Sequence, residues 1–113
     1  MRLVTLCLNI VFAAALLAAG SSYAADGKAT FEGTCAACHG SKGQGTPGLA
    51  PALKGDAFVI KGSIAAIEDT IQNGRSGAKR KYKNLPGDMP AWHLPEADLK
   101  AVVAYIRGDL QKQ

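Results

Sequence analysis

Cysteine is scarce in this 113-residue chain, which has three, Cys7, Cys35 and Cys38. Cys7 stands inside an apolar N-terminal run, so only Cys35 and Cys38 remain as a possible pair. A bridge across two intervening residues closes almost no loop and would stabilise little, and small exported folds held by disulfides normally use several. A disulfide framework is therefore excluded. Long alternation of apolar and polar residues is also missing, which argues against strands and for an all-α chain. There are no internal repeats and no low-complexity linker. Charge is modest: 13 Lys and Arg against 9 Asp and Glu give +4, and 12 against 9 give +3 when Arg2 is left out. That is too little for nucleic-acid binding through bulk electrostatics. Histidine and methionine number two each, so any metal chemistry rests on very few side chains.

The N-terminus is the one long apolar stretch. Arg2 precedes a run from Leu3 to Gly20, broken by Thr5 and Asn9, and Ser21, Ser22, Tyr23, Ala24 and Ala25 follow. A positive start, an apolar middle and a small-x-small end predict a secretory signal peptide, residues 1–24, cut after Ala24. The rival is a retained membrane anchor, since the run is nearly long enough to span a bilayer of about 30 Å. Cys7 lacks the small residues before it that lipid attachment needs, and leaves with the signal. Residues 25–113 then form one exported domain, expected in the periplasm, at the lower limit of what a single core stabilises unaided. A large apolar cofactor would supply the missing internal mass.

Three helices are predicted. The first covers Asp26 to Cys35, capped by Asp26, with thin apolar content. In the second Ser63 caps, Ile64, Ile67 and Ile71 recur on one face, and Asn73-Gly74 ends it. The third has Pro95 at its first position, Glu96 and Asp98 in its first turn, and a stripe of Leu99, Val102, Val103, Ile106 and Leu110. Long loops rich in glycine and proline separate them, and loops of that length in a compact chain normally wrap something functional.

Residues 35–39 read CAACH. Zinc is one reading, with Cys35, Cys38, His39 and the only other histidine, His93, as ligands. Cys38 and His39 are adjacent, however, so their side chains diverge and rarely reach one tetrahedral centre. A thioredoxin-like redox pair is a second, but that motif belongs at a helix N-terminus near a βαβ unit, and this chain lacks strands. The third is the attachment sequence of a c-type haem: two thiols one helical turn apart form thioethers to the porphyrin, and the histidine beside them ligates the iron. Export and the lack of disulfides both agree with it.

With CAACHG, GLAPALKG, GDMPAW and a C-terminal helix holding YIRGDL in that order, the chain resembles the class I monohaem cytochromes c over essentially all of residues 25–113. The resemblance implies an all-α cytochrome c fold, three main helices with long loops around one covalent haem c and its iron. It implies Cys35 and Cys38 as attachment points, His39 as one axial ligand and the Pro51 carbonyl as acceptor from the second ring nitrogen of His39. Met89 is the only methionine after the signal. Its bland role is filling a core gap, but flanking Gly87 and Pro90 and the family's Met-Pro pattern imply the sixth ligand, with His93 as competitor. Leu53, Phe58, Ile67, Ile71 and Leu85 are implied to line the haem pocket. Trp92 and Tyr82 either donate to a haem propionate or serve as core aromatics with polar tips. Gly27 and Phe31 are implied to cross the last helix near Tyr105.

The function implied is one-electron transfer by a carrier that is not itself an enzyme, between a periplasmic dehydrogenase and a terminal oxidase. Arg75, Lys79, Arg80, Lys81 and Lys83 are either plain solvated charges or a docking patch for acidic redox partners beside the haem edge; a peripheral hold on an anionic membrane surface is a further option. Rival functions are a five-coordinate haem that binds small ligands or acts as a weak peroxidase, and a membrane-tethered subunit of a respiratory complex.

Overall fold

The computed structural model describes residues 24–113; the predicted signal lies outside the described residues except for Ala24. Among the described residues five helices occur, α1 (Gly27–Thr34), α2 (Ala36–His39), α3 (Ala57–Lys61), α4 (Ile64–Asn73) and α5 (Glu96–Arg107), with 3-10 turns at Gly77–Lys79 and Asp109–Lys112. Among the described residues there is no strand, only isolated bridges between Thr46 and Ala50 and between Arg75 and Met89. No described helix is long and apolar enough to cross a membrane.

The three expected helices are α1, α4 and α5. Asp26 caps α1 by accepting from Ala29 N at 3.1 Å, and Ser63 caps α4 by accepting from Ala66 N at 3.1 Å. Gly74 ends α4 at φ +68°, a backbone state that glycine adopts without a Cβ penalty. Pro95 sits one position earlier than expected, as the residue before α5, in extended conformation (φ −53°, ψ 146°). The short α2 and α3 were not foreseen as separate elements, because four and five residues hold too little periodicity to register.

Thin apolar content in α1 is offset by one contact. Phe31 is fully buried, its ring centroid 5.5 Å from that of Tyr105 in a tilted arrangement. A Cβ on Gly27 would run into the Ala101 carbonyl and come within 2.9 Å of Tyr105 Cβ, so only glycine lets α1 cross α5 this closely. The whole α5 stripe is buried, Leu99, Val102, Val103, Ile106 and, in the following 3-10 turn, Leu110. Arg107 donates to the Gly62 and Ile60 carbonyls at 3.1 Å each, tying the end of α5 to the end of α3. These helices form a shell of which one side is completed by loops, and the candidate site lies between.

Candidate functional site

A cavity of about 330 Å³ opens between α2, α4 and the loops, lined by Cys35, Cys38, His39, Pro51, Met89 and a largely apolar wall that includes Leu53, Val59 and Ile71. It takes in all five residues expected of the haem site, together with Leu53, Phe58, Ile67, Ile71 and Leu85. His93 is exposed, does not line the cavity and has a positive φ of 48°. No group of three or more His, Cys, Asp or Glu side chains gathers around a common metal position among the described residues.

Local backbone geometry presents the CAACH residues. Cys35 ends α1 and starts the single turn of α2, whose amide bonds run from Cys38 and His39 back to the Cys35 carbonyl at 3.2 and 2.9 Å. Both thiols are free, Cys35 buried and Cys38 half-buried. Burial, with Cys38 adding repulsion, pushes the Cys35 thiol up to about 11. A dithiol exchange centre needs a depressed thiol pKa, so the electrostatics here run against that reading.

The His39 ring is 8% exposed and its Nδ1 lies 2.8 Å from the Pro51 carbonyl oxygen. A carbonyl can only accept, so Nδ1 carries the hydrogen and Nε2 keeps its lone pair. Burial lowers the His39 pKa, against the opposing effect of the Pro51 bond, and so favours the neutral ring that binds metals. The Pro51 carbonyl is itself held in place. Gly45 N donates to His39 O at 2.7 Å, Thr46 Oγ1 to Cys38 O at 2.7 Å, and Thr46 and Ala50 bond across the turn. At Gly45, with φ +79°, a Cβ would come within 2.6 Å of Ala52 N, so the loop closes on Pro51 only with glycine there.

Met89 enters from the other loop. Arg75 and Met89 exchange backbone bonds of 2.9 and 3.0 Å, and Trp92 N donates to Ile71 O at 3.1 Å. Gln72 clamps the same segment, donating to Leu94 O at 2.8 Å and accepting from Leu94 N at 2.7 Å. Gly74 is required again, because a Cβ there would strike the Met89 carbonyl. The α4 C-terminus thus acts as a template for the methionine loop. Sequence reasoning missed Gln72, for which no local pattern existed.

The polar residues expected nearby are distributed differently. Tyr82 and Trp92 both line the cavity; Tyr82 donates its hydroxyl to Asp56 Oδ2 at 2.8 Å, and Trp92 is 40% exposed. Arg75 donates to Asp69 Oδ2 at 3.3 Å, to Gly74 O at 3.1 Å and to the Thr70 hydroxyl. Arg80 pairs through Nε with Asp88 Oδ1 at 3.4 Å, whereas its Nη2 is buried without a partner. Lys79, Lys81 and Lys83 are exposed; Lys81 Nζ lies 4.9 Å from the Phe58 ring centroid.

The residues fit a haem: a mostly apolar cavity, two free thiols one turn apart, an imidazole fixed in its metal-binding tautomer, a thioether, and a buried cationic donor lacking an acceptor. A cytochrome c family model matches residues 24–108. Among curated proteins, the chain is 33% identical over 99 residues to the Cbb3-type cytochrome c oxidase subunit CcoP of Azospirillum sp. (strain B510), covering 80% of this chain and 30% of that protein. It is 38% identical over 87 residues to the Cbb3-type cytochrome c oxidase subunit FixP of Azorhizobium caulinodans, covering 74% of this chain and 28% of that protein. The chain thus spans under a third of the length of these relatives. Among solved structures, the KustC0563 c-type cytochrome superposes with a TM-score of 0.51 at 23% identity, covering 74% of this chain and 95% of that one. The chain belongs to the cytochrome c family, with its all-helical fold and its covalently bound haem c.

Proposed function

We propose that this chain is an exported electron carrier whose single haem c is held by Cys35 and Cys38 and ligated by His39 and Met89. The observation that carries the reading is that one cavity gathers both thiols, the Pro51-oriented imidazole and the methionine. When bound, the haem supplies a one-electron iron couple. Cys35 and Cys38 would hold it through thioether bonds. His39 offers Nε2 because Nδ1 is taken, and the Pro51 bond strengthens it as a donor. Met89 would offer a neutral thioether as the second protein ligand, which would raise the potential relative to bis-histidine ligation. With His39 and Met89 both serving as ligands, no position would be left for a substrate at the metal, and the largely apolar wall would limit access of water. This favours a carrier over a catalyst.

The exposed Lys79, Lys81 and Lys83 give the methionine side a positive rim suited to acidic redox partners. Arg75 and Arg80, paired locally, add to the field without being free for contact. A periplasmic dehydrogenase as donor and a terminal oxidase as acceptor are the partner classes we assign, and the oxidase subunits among the relatives support the second. Residues 1–24 are removed on export to the periplasm in this reading. A second reading, compatible with those relatives, keeps the apolar run as the anchor of a respiratory-complex subunit; the N-terminal residue of purified protein separates the two.

Haem staining after denaturing electrophoresis tests the attachment. The wild-type polypeptide is expected to carry the stain and a C35A/C38A chain to lose it. A wild-type band without stain would refute the assignment.

A further inference from the structure

Among the described residues, Arg80 Nη2 is the one buried side-chain nitrogen or oxygen that has no hydrogen-bond partner. A guanidinium stays charged at any accessible pH, and an unpaired N–H on it is among the more costly groups to enclose. Arg80 Nε pairs with Asp88 Oδ1 at 3.4 Å, and the residue forms part of the cavity wall. Two carboxylates share that wall, and neither serves Nη2: Asp88 faces Nε, and Asp56 accepts from Val59 N and from the Tyr82 hydroxyl. Of the other wall cations, Arg75 is bound to Asp69, Thr70 and Gly74, and Lys81 lies over the Phe58 ring. The acceptor that Arg80 lacks must therefore come from what occupies the cavity. A haem brings two propionate carboxylates.

We infer that Arg80 is a haem-propionate ligand, donating through Nη2 to one propionate while Nε holds Asp88. The inference rests on the haem reading above. Asp88 directly precedes Met89, so the guanidinium links a propionate to the loop that presents the methionine. Arg80 then does two things. It compensates a propionate charge inside the protein, which favours the ferrous state over the ferric one, and it anchors the methionine loop just before Met89, where the Gln72 clamp holds the chain after it at Leu94. Arginine suits the role better than lysine because its planar fork serves two acceptors at once.

The test uses matured holoprotein, wild type, R80Q and R80K, with haem content fixed beforehand by the pyridine haemochrome spectrum. Resonance Raman reads the propionate-bending band, which moves when a hydrogen bond to the carboxylate is lost, and redox titration reads the potential. R80Q is expected to shift the band and lower the potential. R80K is expected to recover part of the potential, because the charge returns, while the band stays shifted. An R80Q protein with full haem content and an unshifted band overturns the inference and leaves the haem assignment standing. Wild-type protein without a haemochrome signal would instead remove the haem reading itself. Should R80Q fail to mature, a crystal structure of the wild-type holoprotein decides: Nη2 at about 3 Å from a propionate oxygen supports the inference, and Nη2 bonded only to protein or water overturns it.

Discussion

Met89 reaches the cavity because Gly74 and Arg75 hold its backbone from fourteen or fifteen positions away, through the two bonds of the isolated bridge and through the space a missing Cβ leaves. G74A puts a Cβ into the Met89 carbonyl at a positive φ. We expect a loss of about 1–3 kcal/mol in stability and, more tellingly, a weakened sulfur-to-iron band in the oxidised holoprotein; an unaltered band would count against the template role of Gly74. M89A is expected to keep its haem but lose that band and fall in potential, measured by redox titration. At this scale much was legible. The CAACH spacing, and through the family resemblance Pro51 and Met89, pointed to residues that one cavity brings together. Arg80, Gln72 and the Tyr82–Asp56 pair were not legible, because each depends on a partner that loop geometry brings near, and no periodicity or motif encodes that. Tyr82 had two readings from residue type; it lines the cavity and donates its hydroxyl to Asp56.

Pairing of α1 with α5 is the helical element on which the shell depends. Apart from Phe31, α1 buries no side chain fully, so its stability comes from that ring and from the Gly27 crossing. F31A should cost about 3–5 kcal/mol, read from chemical denaturation of the holoprotein. G27V, which drives a side chain into the Ala101 carbonyl, should cost at least as much by separating the helices; a loss below about 1 kcal/mol for G27V would mean that the crossing is looser than the geometry indicates. Sequence periodicity found α4 and α5 because each carries a full amphipathic stripe. It supported α1 poorly, since the requirement there is for closeness to α5 and not for a wide apolar face; the family resemblance supplied that part. It passed over α3, whose five residues are fixed by the Asp56 cap and by Arg107 from α5.

At the scale of the whole molecule, the described core is eleven buried apolar residues and His39 around a cavity, a small core for a chain of this length. The haem is therefore expected to be structural as well as functional. The C35A/C38A chain without haem should lose cooperative unfolding and much of its helical circular dichroism, whereas a native-like, cooperative apoprotein would show that the protein shell stands alone. The positive rim predicts that electron transfer to an acidic partner slows as ionic strength rises, since exposed charges are screened within about 8–10 Å at 0.1–0.15 M salt; stopped-flow rates across a salt series check this, and a flat dependence would remove the rim from docking. The central claim, a carrier with iron held between His39 and Met89, is tested most directly by the absorption spectrum of the matured holoprotein, oxidised and then reduced. A far-red sulfur-to-ferric-iron charge-transfer band is expected in the oxidised protein, with sharp low-spin bands on reduction. A high-spin spectrum, or a low-spin one without the sulfur band, would contradict it.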